Sequence, residues 1–342
     1  LCVCSNSKLW MSFYKSLLLG AAVLCLTGWG VEAHRQKWKK GLDGPSDPSS
    51  CNQMRGPCRI ETDVQNNQSF FNISCDCSYG YDDDEEASTY LEQLVYLPCK
   101  GKPVDDDMIV NFTSILITKC RVASKAFPDA LLAMARRTGH LDIIIQDSPR
   151  FRMTSHIAST HIVPKITATF SNSAVSGLVG GWFTGTRDLE LTIEGSSVGV
   201  VDSKALLGFP PEAETSIHIT NSNLTTIKMS AIELPAESTF SMDNCKVDAW
   251  NDSAYVGGKV LLLRNLHVAR MLKSGINIRG LESFKLYNSS IGELTAEAII
   301  DRQSPAMPRN ERNDQRVALA EVSGNMFVRA NGEAFVHLCQ VE

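Results

Sequence analysis

The chain has 342 residues, of which 43% are hydrophobic and 21% are charged, and its formal net charge is −5. A chain of this length can bury a large core. The acidic balance gives no basic footprint of the kind that nucleic-acid-binding proteins carry, so no nucleic-acid partner is expected.

The N-terminal segment has the pattern of a secretory signal. Met11 is followed by Lys15, by the apolar run SLLLGAAVLCLTGW and by small residues up to Ala33. The apolar run of about 14 residues is short for a membrane span, although a signal anchor is the alternative. We therefore predict that 1–10 lie upstream of the start, that 11–33 are a signal peptide, and that the chain is extracellular and secreted. No other run is long enough to span a bilayer, so a membrane anchor is expected only if the protein continues past Glu342.

Residues 34–50 begin with basic side chains and continue through Gly, Pro and Ser, which predicts a flexible linker. Residues 51–110 are rich in cysteine and are predicted to form an N-terminal cap on the rest of the chain. A secreted protein is expected to use its cysteines in disulfides, with the pairing left open. A zinc site is the alternative, but a Cys-x-Cys spacing without a Cys/His quartet disfavours it, and no metal is expected. The cysteines assigned to disulfides are Cys51, Cys58, Cys75, Cys77, Cys99 and Cys120.

Six Asn-x-Ser/Thr sequons agree with a secreted glycoprotein. They begin at Asn67, Asn72, Asn111, Asn223, Asn251 and Asn288.

One eight-residue pattern, apolar-x-apolar-x-Asn-Ser-x-apolar, recurs nine times between 115 and 326. Its copies follow each other at steps of 21 to 28 residues, with a last step of 35 across the polar stretch 302–315. A repeat of this length is typical of a solenoid, in which each unit buries its apolar face against its neighbours. We predict a repeat solenoid over 111–342, with truncation at its C-terminus left open. The sixth octet positions are Cys120, Ser148, Ser173, Ser196, Ser222, Cys245, Leu266, Ser289 and Gly324.

Alternation within the octet places its first and third residues inside and its second and fourth residues outside. The chain must turn at the Asn-Ser pair, where short polar side chains can bond nearby backbone groups. The small sixth residues are expected to stack as an inward polar ladder. Outward residues of successive repeats are expected to align in two columns, Thr192, His218, Ser241, Leu262, Lys285 and Glu194, Thr220, Asp243, Arg264, Tyr287.

The octet resembles the L-x-L-x-x-N-x-L signature of leucine-rich repeats, and Cys75-Asp-Cys77 ahead of Cys99 resembles the cysteine-rich cap of their extracellular members. The segment ALLAMARR after Pro128, with Gly139 as a stop, adds one predicted helix. The resemblance implies a β-solenoid of about nine repeats with a cysteine-rich N-terminal cap. Later repeats lack helical periodicity, so a right-handed parallel β-helix remains the alternative.

Motifs of metalloproteases and of phosphate-binding proteins are absent from the sequence: it contains no His-Glu-x-x-His and no phosphate-binding loop. Glu194 and Asp243 share one outward register but are separated by Thr220, which does not define an acid–base pair. We therefore predict a non-enzymatic protein without a cofactor. The alternatives are a carbohydrate-active β-helix enzyme and a structural matrix or cuticle protein without a discrete ligand.

The exposed columns are the predicted binding surface, because parallel strands of a solenoid present their outward side chains as a continuous strip. Arg and Tyr, which are common in interfaces, occur in it. We predict recognition of an extracellular protein or glycan through Glu194, His218, Asp243, Arg264, Lys285 and Tyr287.

Overall fold

The computed structural model describes residues 53–55, 58–65, 68–78, 110–122, 138–152, 163–278, 280–300, 319–331 and 334–336. All of them belong to one compact unit, Ser50–Glu342. The predicted signal peptide, the basic linker, the helix after Pro128 and the polar stretch after Asp301 lie outside the described residues. Cys51, Cys99 and Asn67 also lie outside them.

Three sheets of stacked strands form the described molecule. Sheet A has twelve strands: β1 (Gln53–Arg55), β2 (Cys58–Gln65), β3 (Gln68–Asp76), β4 (Val110–Thr118), β6 (Thr138–Gln146), β8 (Lys165–Ser171), β10 (Asp188–Glu194), β12 (Glu214–Thr220), β15 (Thr239–Asp243), β18 (Val260–Arg264), β21 (Ser283–Tyr287) and β24 (Leu319–Ser323). Sheet B has nine strands: β5 (Arg121–Val122), β7 (Arg150–Phe151), β9 (Ala174–Leu178), β11 (Ser197–Val201), β13 (Asn223–Ile227), β16 (Lys246–Trp250), β19 (His267–Met271), β22 (Ser290–Leu294) and β25 (Met326–Ala330). Sheet C has five strands: β14 (Ile232–Leu234), β17 (Tyr255–Gly257), β20 (Ile276–Asn277), β23 (Ile299–Ile300) and β26 (Phe335–Val336).

From β3 onward, every pair of neighbouring strands is parallel, and each octet supplies one strand of sheet A. From β12 onward, each coil passes through sheets A, B and C before it returns to sheet A. The predicted parallel β-solenoid is therefore confirmed. These coils pass through three sheets and contain no helix, whereas a leucine-rich repeat returns through a helix or a 3₁₀ segment.

No helix occurs among the described residues. Gly139, expected to stop a helix, is instead the second residue of strand β6. None of the described segments is a helix long and apolar enough to cross a membrane.

The core follows from the alternation within each strand. In β8, β10 and β12 every second side chain is buried, and parallel in-register stacking places these side chains directly above one another. The largest buried side chains include Phe170, Phe240, Phe284, Trp250 and Tyr255. The rings of Phe240 and Tyr255 meet edge to face with centroids 5.4 Å apart. The interior is thus a continuous apolar column along the solenoid axis.

The fifth octet position forms a left-handed corner between sheets A and B. All nine residues there have φ between 47° and 65°, a region that Gly and Asn tolerate best. This requirement explains why Asn and Gly dominate the position. The nine residues are Lys119, Asp147, Asn172, Gly195, Asn221, Asn244, Asn265, Asn288 and, in the alignment that strand pairing gives the ninth repeat, Gly324.

The sixth position forms the predicted inward polar ladder. The backbone N–H of Ser173 donates to Ser196 Oγ at 3.0 Å, and the N–H of Ser196 donates to Ser222 Oγ at 3.1 Å. Each hydroxyl in turn donates to the carbonyl two residues before it, as Ser196 does to Glu194 at 2.9 Å. The corner therefore satisfies buried N–H groups that the turn removes from the sheet ladder. Cys245 takes the same position as a free, buried cysteine.

The ninth repeat corrects our alignment by one residue. Ala320 pairs with Phe284 and Val322 with Leu286, so the octet begins at Ala320 and its sixth residue is Asn325 rather than Gly324. Asn325 extends the ladder, because its Oδ1 accepts the Ser289 N–H at 2.8 Å.

The N-terminal strands run differently from the coils. Strand β2 is antiparallel to both of its neighbours, β1 and β3, and β3 pairs with β4 of the first coil in parallel. A disulfide joins the facing residues Cys58 and Cys75 of β2 and β3, and a second disulfide joins Cys77 to Cys120 at the first corner. Two disulfides therefore hold this hairpin together and attach it to the first coil. Most of the predicted cap, 51–110, lies outside the described residues, and its capping role stays a prediction.

Candidate recognition surface

The outward face of sheet A presents the two predicted columns in register. Thr192, His218, Ser241, Leu262 and Lys285 follow one another on β10, β12, β15, β18 and β21, and the second column runs Glu194, Thr220, Asp243, Arg264, Tyr287. Neighbouring strands lie about 4.8 Å apart, so the two columns form one continuous surface. The strip is defined as the six predicted residues in these columns: Glu194, His218, Asp243, Arg264, Lys285 and Tyr287.

His218 is held on both sides by hydroxyl groups. Its Nε2 lies 2.8 Å from Ser216 Oγ, and its Nδ1 lies 2.7 Å from Ser241 Oγ. Both ring nitrogens are thus within hydrogen-bond distance of a serine hydroxyl, and the tautomer sets which group donates in each pair. The ring is therefore fixed in orientation while it remains half-exposed on the strip.

Asp243 and Arg264 form an ion pair between neighbouring strands. Arg264 donates to Asp243 Oδ2, and Asn265 Nδ2 donates to Asp243 Oδ1 at 2.9 Å. The guanidinium hydrogen bond is the main reason that the pKa of Asp243 lies below its usual value, and the Asn265 bond lowers it further. The carboxylate is thus charged and oriented before any partner arrives.

Lys285 and Tyr287 meet a common carboxylate on the next strand. Lys285 Nζ lies 3.2 Å from Glu321 Oε2, and the Tyr287 hydroxyl donates to the same oxygen. Tyr287 and Lys285 each form a hydrogen bond to Glu321, and this bond raises the pKa of each residue. The hydrogen bonds from Tyr287 and Lys285 hold the pKa of Glu321 below its usual value. This end of the strip is a three-residue cluster.

Glu321 was missed in the sequence, because the one-residue slip in the ninth repeat placed it on the inward side. A slip of one residue moves every side chain of a strand to the other face. The apolar spacing of Ala320 and Val322 was the signal that could have found it. By contrast, Glu194 is exposed and forms no ion pair with another described residue.

A second group of titratable side chains lies on the same face, before the strip. Asp142 and Glu190 occupy one column on β6 and β10, with Thr167 of β8 between them. Partial burial is the main cause that raises the pKa of Asp142, and the charge of Glu190 adds to it. His140 Nε2 lies 3.1 Å from Thr167 Oγ1, and burial lowers the pKa of His140. The sequence search for carboxylate pairs overlooked this column because it compared only the fourth octet positions.

The sequons occupy different environments. Asn72 and Asn223 are exposed on strands, Asn251 is half-buried after β16, and Asn288 is exposed at a left-handed corner. The backbone of Asn111 lies in β4. Whether any of them carries a glycan stays a prediction.

Within the described ranges, no three His, Cys, Asp or Glu side chains converge as metal ligands. No protein-family model, no curated protein and no solved structure matches this chain. What the chain does must therefore be argued from its own surface.

Proposed function

We propose that this chain is a secreted, glycosylated recognition protein that binds an extracellular protein through the strip on sheet A. The proposal depends on one observation: five consecutive coils present imidazole, carboxylate, guanidinium, ammonium and phenol groups in two aligned columns. The fold requires none of these groups, because outward positions on a solenoid sheet contribute little to the core. Charged and aromatic groups in such positions are suited to specific contacts.

The strip is pre-organised. His218 is held by two serines, Asp243 by Arg264 and Asn265, and Lys285 with Tyr287 by Glu321. Side chains already ordered lose less conformational entropy when a partner binds. The rigid parallel sheet beneath them also fixes their spacing. A partner with matching charges would therefore meet a surface that needs little rearrangement.

A binding screen tests the proposal. The full chain, secreted from cultured eukaryotic cells, is presented to a panel of extracellular proteins and a panel of glycans. The test variant replaces His218, Asp243, Arg264 and Lys285 by Ala. The matched control replaces the same four residue types on the outward face of sheet B, namely His267, Asp248, Arg270 and Lys246, by Ala.

We expect a protein partner that binds the wild-type chain and the sheet B control but not the strip variant. A partner retained by the strip variant would place recognition elsewhere on the chain. Binding confined to the glycan panel would replace the protein partner by a carbohydrate one. Retention of the wild-type thermal midpoint by both variants shows that loss of binding does not reflect unfolding.

A second candidate function, carbohydrate cleavage, is favoured by the column of Asp142 and Glu190. One strand, β8, lies between theirs, so two strand spacings of about 4.8 Å place their backbones about 10 Å apart. Inverting glycosidases place two carboxyl groups about 6.5–9.5 Å apart, with the acid's pKa raised. Burial raises the pKa of Asp142 in the required direction. Release of new reducing ends from a polysaccharide panel, abolished in Asp142→Asn but retained in Asp188→Asn, would establish this activity.

A further inference from the structure

Near β9, β11 and β13 the outward face of sheet B is flat, because most of its outward side chains there are small. Its first column runs Ala174, Ser197, Asn223, Lys246, His267 and Ser290. Between the paired positions the backbones approach closely: a Cβ at Gly199 would lie 2.3 Å from the Ser176 carbonyl oxygen. Glycine is required there because any side chain would separate the coils. This face offers far fewer long side chains near β9, β11 and β13 than the strip does.

Asn223 is the first residue of β13 and points away from the core on this flat face. The strand alternation buries Leu224 and exposes Asn223 and Thr225 on the same side. Both functional groups of the sequon Asn223-Leu224-Thr225 are therefore directed outward. Among the described residues, no side-chain hydrogen bond engages the Asn223 amide. A bulky substituent on its nitrogen would extend into solvent without displacing any packed group.

Asn288 is in a different position, although it also opens a sequon. It lies at a left-handed corner with φ 47°, and its Oδ1 is 2.4 Å from the place that a Cβ of Gly324 would take. The corresponding amide of Asn244 donates to Asn221 Oδ1 at 2.8 Å. Corner amides thus pack between coils, so a glycan on Asn288 would compete with the stacking that sheets A and B need. The sequence predicts a glycan at the Asn288 sequon, and the packing of this corner argues against it.

We propose that Asn223 carries an N-linked oligosaccharide that covers the outward face of sheet B, so that sheet A is the face left open to a partner. This inference rests on the extracellular location proposed above. In the transfer step a C–N bond from the first sugar to Asn223 Nδ2 replaces an N–H bond. The donor is a lipid-linked diphosphate oligosaccharide whose sugar–phosphate bond breaks, and the proton leaves with the lipid diphosphate. The attached sugars would lie over Lys246, which is paired with Asn223 on the next strand.

Lys246 provides a direct readout of this cover. Its side chain is 55% exposed without a glycan and forms an ion pair of 3.1 Å with Asp248. Lys165 on sheet A is a matched reporter, because it is 44% exposed and forms an ion pair of 2.9 Å with Asp188. Both lysines can be acetylated under limiting reagent, and the extent at each is measured by mass spectrometry.

The experiment uses the full chain secreted from cultured eukaryotic cells. Glycopeptide analysis gives the occupancy of each sequon. Acetylation is compared between wild type, Asn223→Gln and Thr225→Ala, since the last variant removes the sequon but keeps the asparagine. We expect Asn223 to be occupied, and Lys246 to become severalfold more reactive in both variants while Lys165 stays unchanged. Enzymatic removal of glycans from the folded wild-type protein should give the same increase.

Three results would overturn the inference, and they are distinguishable. An empty Asn223 beside an occupied Asn72 rejects the site but leaves the extracellular location intact. A secreted chain with no occupied sequon rejects the glycoprotein itself. An occupied Asn223 with Lys246 equally reactive in all forms rejects the cover. The inference also predicts that Asn223→Gln retains any partner that the strip variant loses.

Discussion

The fourth and sixth octet positions lie on either side of the left-handed corner residue, and each forms a column along the solenoid. The two columns differ in composition. The inner column, at the sixth octet position, runs Ser196, Ser222, Cys245, Leu266 and Ser289, and all five are buried. The outer column, at the fourth position, runs Glu194, Thr220, Asp243, Arg264 and Tyr287. Four of the five inner residues are Ser or Cys, and Ser196, Ser222 and Ser289 each accept a backbone N–H from the preceding coil. The outer column varies because the fold does not constrain it. Fold requirements and recognition chemistry are therefore separated within a single octet.

If this division is correct, substitutions in the interior should destabilise the protein far more than those in the strip. Trp250 provides the largest expected effect. It is completely buried at the end of β16, and its Nε1–H donates to the Gly275 carbonyl at 2.9 Å. Trp250→Ala should lower the free energy of unfolding by about 3–5 kcal/mol, because a large cavity remains. Urea denaturation followed by circular dichroism measures this change.

Trp250→Phe serves as the control for the cavity. It keeps most of the ring volume and removes only the indole donor, while the Gly275 carbonyl still accepts the Tyr255 N–H at 3.1 Å, so the loss should be smaller than for alanine. Equal losses for both variants would contradict the packing account. They would show that the hydrogen bond, rather than the volume, determines stability at this position.

The next effect is expected at the inner column. Ser196→Ala removes the acceptor of the buried Ser173 N–H and leaves that donor unpaired. The expected cost is about 1–3 kcal/mol, the penalty for an unsatisfied buried group. Ser197→Ala, on the neighbouring exposed position, should change stability by less than about 0.5 kcal/mol. Similar midpoints of urea denaturation for these two variants would show that the ladder does not stabilise the corner.

A smaller effect is expected at the corner itself, where Asn244 has φ 52°. Asn244→Ala should destabilise the protein by about 1–2 kcal/mol, because an alanine Cβ is unfavourable in the left-handed region. Asn244→Gly keeps the backbone geometry and loses only the amide that donates to Asn221, so its cost should be lower. The thermal midpoints of the two variants test the order. A glycine variant less stable than the alanine variant would indicate that the amide ladder outweighs the backbone conformation.

These positions also show what the sequence could predict. The octet has a period of two along each strand and a corner at Asn-Ser, so it placed the inner ladder and both outer columns correctly in repeats four to eight. The alignment predicted for the ninth repeat was wrong by one residue. Leu319 and Val322 are both apolar, so the octet could begin at Leu319 or at Ala320. Pairing with β21 selects the alignment that places Val322 beside Leu286, where Val322 is partly buried against the core.

The third sheet could not be predicted for a different reason. Its strands have only two or three residues, such as Ile276–Asn277, and too few positions alternate for a period to be recognised. They lie between octets, where the chain length varies. Their register depends on the stacked coils and not on local sequence. Local sequence also could not place Glu321, because its position beside Lys285 depends on how β24 pairs with β21.

The smallest expected effect concerns the ion pair in the outer column. The pKa of Asp243 is lowered in the folded chain, first by the hydrogen bond from Arg264. A carboxyl group with a depressed pKa stabilises the fold above the unfolded value of about 3.9, and this contribution is lost as the pH falls through the folded pKa. Asp243→Asn should therefore lower the urea midpoint slightly at neutral pH. The difference from wild type should shrink as the pH is taken below about 4.

The same difference should also decrease with added salt, because the pair is partly exposed and is screened by ions. Glu194→Gln is the control in the same column, since Glu194 has no ion-pair partner among the described residues, and it should leave the midpoint unchanged. A loss for Asp243→Asn as large as that for Ser196→Ala would mean that the outer column is part of the fold's stability. Its variety would then be a consequence of pairing between coils. If the loss is small, the strip is free of structural constraint, and its charges remain available to a partner.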